Sequence, residues 1–320
     1  MRASHARGGT AVATLLAILI TVGASMPIKA EVVRTPPLVP SRGAYFGGYY
    51  RMTDWSVEAQ KSTFTDLEAA MGRTLDIAHF YYDFNGAINP WRDKWHIENG
   101  RIPMISWQGY YTDQIITGQH DGTIARWADD IKALGAPVFL RWFWEMDDKK
   151  KAHWTQSPEN FIAAWRRLHD IFTARGATNA VWVWCPNAWA FRVNTANQYY
   201  PGDAYVDWVC ADGYNWGTLG YGYDWDLFPA IFGDFYEQWA GRKPLMVGET
   251  GAVEQGGRKG RWIRDLRSIL RFQLPEIKAL VYFSSADGVY DFRIGTSSRA
   301  YNGYTALAGR RYFNPPHPAS

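Results

Sequence analysis

Short apolar segments alternate with amphipathic segments along most of the chain. Eight of the apolar segments are rich in Val, Ile, Phe, Tyr and Trp, which is typical of buried β-strands. These predicted strands cover residues 44–49, 75–81, 102–107, 138–143, 180–184, 208–214, 245–248 and 280–284. Residues 123–134 and 260–272 repeat apolar side chains at helical spacing, and Ser157, Pro158 and Glu159 form a helix start.

Alternating strands and helices in this number predict an α/β fold, a single (β/α)8 TIM barrel. An open doubly wound sheet is the alternative, but Gly47 and Gly48 near the first strand lack the spacing of a phosphate-binding loop. The sequence shows neither an internal repeat nor a second linker. We therefore predict a signal peptide at 1–30, an N-terminal spacer at 31–43, one barrel domain at 44–310 and a C-terminal tail at 311–320.

The first thirty residues have the composition of a secretory leader. Arg2 and Arg7 precede an apolar segment at 11–23, and small residues follow up to Ala30. An uncleaved membrane anchor is the alternative, although the segment is short for a bilayer span. Cleavage after Ala30 removes three of the 34 basic residues and none of the 31 acidic ones, which leaves 31 of each. The leader predicts a secreted or periplasmic protein, and the neutral mature chain argues against a nucleic-acid partner. We also predict a monomer without a membrane partner after cleavage.

Metal, thiol and phosphate chemistry find little support in the sequence. The seven His never pair at HxH or HExxH spacing, and neither a GxSxG motif nor a Walker loop occurs. Cys185 and Cys210 are the only cysteines, and in an oxidising compartment they either form one disulfide or remain buried thiols. We predict that the protein needs neither a metal nor another cofactor.

Two glutamates follow apolar strands instead of lying in helical or loop segments. Glu145 follows the fourth predicted strand beside Trp144, and Glu249 follows the seventh. A carboxylate in such surroundings must be paired, protonated or hydrogen-bonded. Because strands four and seven face each other across a barrel mouth, one pocket can receive both groups. Glycoside hydrolysis uses such a pair, although a structural role with each glutamate paired to an arginine is the alternative.

Aromatic residues are unusually abundant, with 17 Trp, 19 Tyr and 16 Phe. Six tryptophans lie at or just beyond the ends of predicted strands three to six: Trp107, Trp142, Trp144, Trp184, Trp189 and Trp216. Side chains alternate between the two faces of a strand, so some of these belong to the core. The others are expected to line a cleft and to stack on the rings of a polysaccharide or oligosaccharide.

Several segments also share their order and spacing with a known family. They read PMISW from Pro103, GQHD from Gly118, LRWFWEMD from Leu140, VWVWCPN from Val181, DWVCADGYN from Asp207 and VGETG from Val247. With these segments the chain resembles glycoside hydrolase family 26, the mannanase family of the clan whose catalytic acids lie on strands four and seven. The resemblance extends from about Tyr45 to Ala308, nearly the whole mature chain.

The resemblance implies a role for individual residues. Glu145 would be the general acid/base and Glu249 the nucleophile of a retaining mechanism, while Tyr214 would hydrogen-bond the nucleophile and Arg141, just upstream of the acid, would be a positioning residue. The substrate-binding set comprises Arg141, Trp144, Tyr214, Trp107, Trp189, Trp216 and His79.

The chain departs from the family at three positions. Trp144 stands where members generally have His, and Asp147 stands where they usually have Asn. The eighth strand lacks the Trp that often forms the cleft floor, which leaves Tyr282 or Phe283 to replace it. The first and third changes affect sugar recognition and leave the two carboxylates in place.

We predict a secreted retaining hydrolase that cleaves β-linked polysaccharide internally, first of all β-1,4-mannan. A β-glucanase or β-xylanase of the same fold, and an inactive glycan-binding barrel, are the alternatives. The retaining mechanism predicts carboxyl groups about 5–5.5 Å apart. Whether the glycan is a nutrient or the producer's own envelope polysaccharide stays open at this point.

Overall fold

The computed structural model describes residues 1, 36–219 and 224–316. Eight parallel strands close into a barrel in chain order, and the last pairs with the first. The strands are β1 Tyr45–Tyr50, β2 Ile77–Tyr82, β3 Ile102–Trp107, β4 Val138–Trp142, β5 Ala180–Trp184, β6 Trp208–Asn215, β7 Leu245–Ala252 and β8 Ile277–Ser284. The predicted single (β/α)8 TIM barrel is confirmed. The predicted signal peptide beyond Met1 and spacer residues 31–35 lie outside the described residues.

Helices connect the strands on the outside of the barrel. They are α1 Val57–Met71, α2 Pro90–Glu98, α3 Thr112–Ile116, α4 Asp121–Ala133, α5 Ala152–Thr155, α6 Pro158–Arg175, α7 Ala188–Arg192, α8 Phe228–Trp239, α9 Lys259–Phe272 and α10 Ser298–Ala308. The start of α6 follows from its sequence. The Ser157 hydroxyl accepts a hydrogen bond from the Asn160 amide, and Pro158 is tolerated at the first helical position because a backbone N–H there would have no partner within the helix. Among the described residues, no helix is both long and apolar enough to cross a membrane.

The barrel interior has an apolar lower part and a polar upper part. The apolar part includes Tyr45, Met104, Phe139, Val181, Trp208, Met246 and Val281. Nearer the carboxyl ends of the strands the inward positions become polar, with His79, Ser106, Arg141, Asp212 and Glu249 all buried. Because βα loops meet at this end of a TIM barrel, the polar layer forms the base of the expected active site.

Segments before β1 and after α10 pack on the barrel. Leu38 and Val39 contact the apolar interior, and the Pro37 carbonyl accepts a hydrogen bond from Trp208 Nε1 at 2.8 Å. In the segment after α10, the Tyr312 carbonyl accepts a hydrogen bond from the Ala44 amide at 3.1 Å. Both segments therefore add to the folded unit by burying backbone and apolar surface.

A disulfide joins β6 to the residue that follows β5. Cys185 and Cys210 are bonded and completely buried inside the barrel. Gly248 of β7 lies against this bond, since a Cβ at that position would stand 2.3 Å from the sulfur of Cys210. Of the two possibilities that the sequence leaves open, the structure has the disulfide.

Removing this disulfide should destabilise the protein measurably. It closes a loop with a sequence separation of 25 residues, and the loss of such a crosslink costs about 3.5 kcal/mol in the chain-entropy treatment. We expect the Cys185→Ala/Cys210→Ala variant to unfold about 6 °C lower in a thermal melt. Dithiothreitol should lower the Tm of the wild type and leave the variant unchanged; equal melting of both proteins without reductant would refute the expectation.

Candidate active site

The acid predicted on strand four lies in a sharp backbone turn beyond β4. Phe143 and Glu145 have φ values of 49° and 53°, and non-glycine residues rarely adopt this left-handed region. The turn is held by the Glu145 amide, which donates to the Cys185 carbonyl at 2.7 Å, and by the Phe143 ring, which packs over Gly109. This local geometry separates Glu145 from the strand that precedes it.

Glu249 lies inside β7 and is almost fully buried. Its Oε1 accepts a hydrogen bond from the Tyr81 hydroxyl at 2.6 Å and a charge-assisted hydrogen bond from Arg141 Nη2. Its Oε2 accepts a hydrogen bond from the Tyr214 hydroxyl at 2.5 Å. Three donors therefore satisfy the oxygens of this buried carboxylate, which would be costly to bury without partners. The hydrogen bond from Tyr214 agrees with what the family resemblance implies, whereas sequence reasoning missed Tyr81.

Arg141 connects the two buried acids of the polar layer. Its Nη1 lies 2.6 Å from Asp212 Oδ2, and its Nε donates to Ser106 at 2.8 Å. Burial disfavours the charged guanidinium, but Asp212 and Glu249 outweigh that cost and raise the pKa of Arg141. Because Arg141 is completely buried, it contacts the candidate nucleophile and not the open cleft.

Glu145 has different surroundings from Glu249. Its side chain is one-fifth exposed, and Oε2 lies 3.1 Å from the ammonium of Lys151. Burial raises the pKa of Glu145, the nearby Glu249 charge raises it further, and Lys151 opposes both. A carboxyl group with a raised pKa keeps its proton to a higher pH and can donate it.

His79 supports the polar layer from below. It is fully buried, with Nε2 2.6 Å from the Ser106 hydroxyl and 3.3 Å from Arg141 Nη2. Burial and the Arg141 charge lower its pKa well below the usual range, so the imidazole is neutral. The assignment of His79 to the substrate-binding set is therefore corrected: its contacts position Arg141.

Aromatic rings surround the two glutamates in a continuous series, here called the aromatic arc. It consists of Tyr49, Tyr81, Trp144, Tyr214, Trp216, Phe283, Tyr290 and Phe292, each with a ring centroid within 6 Å of another member. Trp144 and Trp216 are half-buried. Between the two candidates in β8, Phe283 belongs to the arc, whereas Tyr282 is buried and packs on Tyr304 of α10.

The remaining predicted tryptophans lie elsewhere. Trp107 is completely buried, stacks on Phe84 and Trp127, and donates to the Phe84 carbonyl, so contrary to prediction it does not line the cleft. Trp142 and Trp184 are likewise core residues. Trp189 in α7 is 64% exposed with Arg192 over its ring, and it makes no ring contact with the aromatic arc among the described residues.

One group in the described part of the chain has ligand atoms at metal-binding spacing, namely Cys185, Cys210 and Asp212. Its two sulfurs are bonded to each other, so they are not thiolates, and Arg141 already pairs with Asp212. Metal binding needs deprotonated, unpaired ligands. This group therefore fits a metal poorly, and Asp212 is held instead by its ion pair with Arg141.

Comparisons with known proteins place the chain in a family. The model of glycosyl hydrolase family 26 matches residues 61–234, which include Arg141, Glu145 and Tyr214 and end before Glu249. The chain is 33% identical to Endoglucanase H of Acetivibrio thermocellus over 295 residues, covering 86% of this chain and 32% of that protein. It thus spans about a third of that relative's length.

Solved structures share the fold at lower identity. A ruminal GH26 endo-beta-1,4-mannanase aligns with a TM-score of 0.65 at 16% identity, over 85% of this chain and 64% of that chain. A beta-mannanase from a symbiotic protist of the termite Reticulitermes speratus, complexed with a gluco-manno-oligosaccharide, aligns with a TM-score of 0.61 at 16% identity, over 88% and 98%. Because the family model matches more than half of the residues of this chain, the chain belongs to glycosyl hydrolase family 26.

Proposed function

We propose that the chain is a retaining endo-β-glycanase in which Glu145 is the general acid/base and Glu249 the nucleophile. The observation that supports this best is the contrast between the two carboxyl groups. Glu249 accepts from Arg141, Tyr81 and Tyr214, while burial raises the pKa of Glu145. Two acids with opposite surroundings in one pocket suit a reaction that needs one proton donor and one anion.

The reaction proceeds in two displacements. Glu145 gives its proton to the glycosidic oxygen while Glu249 attacks the anomeric carbon, so the glycosidic bond breaks and a covalent glycosyl ester forms. In the second step Glu145, now a carboxylate, removes a proton from water, and the resulting oxygen nucleophile displaces Glu249. Arg141 and the two tyrosines stabilise the Glu249 carboxylate each time it is released.

For the substrate we propose a neutral β-glucan. Endoglucanase H aligns along most of this chain at 33% identity. Trp144 also replaces the His that family members generally show before the acid, and an indole cannot accept a hydrogen bond from a sugar hydroxyl. β-Mannan is the second candidate, because the solved relatives are mannanases, although 16% identity carries the fold alone.

The aromatic arc is the proposed binding surface for sugar rings. Phe283 in β8 lies beside Tyr49 and Tyr214 and takes the place of the missing tryptophan. Stacking of flat rings on the apolar faces of sugars provides contact area at low entropic cost. We also propose export to the periplasm or medium, where polymeric glycans are accessible; the leader residues that motivate this lie outside the described part of the chain.

A product analysis tests the function directly. The protein is incubated with β-glucan, β-mannan and β-xylan, and the products are separated by size and followed by proton NMR from the first turnover. We expect oligosaccharides of several lengths from β-glucan, released first as the β-anomer. Initial release of the α-anomer would refute retention, faster cleavage of mannan would refute the glucan assignment, and glycan binding without cleavage by folded protein would indicate an inactive binding barrel.

A further inference from the structure

Lys151 contacts the candidate acid and the residue before it. Its ammonium lies 3.1 Å from Glu145 Oε2, donates to the Trp144 carbonyl at 2.8 Å, and stands 4.6 Å from the centre of the Trp144 ring. One amine therefore contacts the carboxylate, the backbone and the indole of the turn beyond β4. Neither the motif comparison nor the strand pattern singles out this residue.

The local chain fixes Lys151 in this position. Residues Lys149–Lys151 form a single 3-10 turn capped by Asp148, whose carboxylate accepts from the Lys150 amide at 2.9 Å. Lys149 and Lys150 are exposed, whereas Lys151 is only one-fifth exposed. A partly buried ion pair is screened less by solvent than a surface pair. Of the three lysines, only Lys151 can act on the site directly.

We propose that Lys151 is a positioning residue that holds Glu145 and Trp144 in their productive arrangement and sets the pH range over which Glu145 donates its proton. The inference rests on the proposed role of Glu145 as the acid/base. Lys151 is one of several groups that face this carboxyl: Arg141 from β4, Asp212 and Tyr214 from β6, and Glu249 from β7 also act on it.

Lys151 has its largest effect after the proton has left Glu145. Before the first step Glu145 is neutral, and the Lys151 ammonium opposes the burial that raises its pKa. After the proton has moved to the leaving oxygen, Glu145 is an anion, and the ammonium at 3.1 Å stabilises it until the proton of the attacking water arrives. Lys151 thus favours proton release in the first step and keeps the base oriented for the second.

The test compares Lys151→Met with wild type, with Lys150→Met as the matched control and Lys151→Arg as the charge-preserving variant. The pH profile of kcat/KM is measured on polysaccharide and on an aryl glycoside with a good leaving group. In parallel, carbon-13 NMR of labelled glutamate follows the titration of Glu145, assigned with Glu145→Gln. The NMR titration needs no activity, so the ion pair is tested even if the proposed function fails.

We expect Lys151→Met to move the alkaline limb and the Glu145 titration upward by about one pH unit, since an attractive charge is lost. Its kcat on polysaccharide should fall by roughly tenfold to a hundredfold, with a smaller loss on the activated aryl glycoside and little change in KM. In Lys151→Arg the midpoints of the alkaline limb and of the Glu145 titration should stay near those of wild type. In Lys150→Met both should match wild type.

Several results would overturn the inference. An unmoved Glu145 titration in folded Lys151→Met would exclude the ion pair, and an unmoved alkaline limb in an active variant would exclude the role in catalysis. A shift of equal size in Lys150→Met would mean that general surface charge is responsible. If wild type cleaves no glycan but the titration moves, the proposed function fails while the coupling of Lys151 to Glu145 stands.

Discussion

The Glu249→Ala variant is expected to lose at least about 10⁵-fold in kcat on its glycan substrate. Without this carboxylate no covalent glycosyl ester can form, and Arg141, Tyr81 and Tyr214 then surround an empty position. Polysaccharide binding should persist, because the rings of the aromatic arc are unchanged. Azide should restore part of the turnover by attacking the anomeric carbon from the vacated side, and NMR of the product should show an α-glycosyl azide.

Controls separate the chemical role of Glu249 from a structural one. Its removal leaves Arg141 with a single buried carboxylate partner, Asp212, so Glu249→Gln is made alongside to preserve the volume and part of the hydrogen bonding. Glu237→Ala, on an exposed position of α8, should behave as wild type. Normal cleavage by folded Glu249→Ala, or an azide product in the β configuration, would exclude Glu249 as the nucleophile.

The barrel could be predicted because buried strands have a simple signature. The predicted bounds of β3 and β5 coincide with the observed ones, because both strands are fully buried and almost wholly apolar. β7 was predicted to end at residue 248, but it continues through Glu249 to Ala252. The pattern fails there because the buried polar residues at the catalytic end are paired inside the barrel and resemble a loop in sequence.

The strand pattern does not predict whether a tryptophan at a strand end lies in the core or in the cleft. Trp107 and Trp144 both follow apolar runs, yet one packs among the helices and the other lies beside the candidate acid. Within a strand, successive side chains point to opposite faces of the sheet. Arg141 points into the barrel, so the adjacent Trp142 points outward toward the helices. Trp144 lies beyond β4, after Phe143 in the left-handed conformation, so the alternation of the strand no longer predicts its direction.

Residues that act through long-range contacts have the weakest signals in the sequence. Tyr81 reaches Glu249 across a sequence separation of 168 residues, and Asp212 pairs with Arg141 across 71. Neither has a local signal beyond a polar group in an apolar strand. Such a signal exists for Asp212, because a buried carboxylate demands a partner, although the prediction considered only the glutamates. The same signal does not identify Tyr81, because tyrosine is common in strands for its packing alone.

Replacing Glu145 by alanine should slow polysaccharide cleavage by about 10²- to 10⁴-fold, the usual contribution of a positioned general acid. The loss should depend on the leaving group. A polysaccharide alcohol needs the proton of Glu145, whereas a dinitrophenolate leaves without it, so the first step on that aryl glycoside should remain fast. The second step still lacks its base, and a burst of dinitrophenol followed by slow turnover should therefore appear in stopped-flow traces.

The pH dependence of this variant carries a second, independent expectation. Since burial raises the pKa of Glu145, wild-type activity should fall on the alkaline side only above the range of an ordinary carboxyl group. Glu145 must be protonated to act as the acid, so its removal should abolish that alkaline limb while leaving the acidic limb in place. Lys150→Met, which changes an exposed side chain nearby but keeps both Glu145 and Lys151, is the control and should retain the limb. An alkaline limb that persists unchanged in Glu145→Ala would assign proton donation to another group.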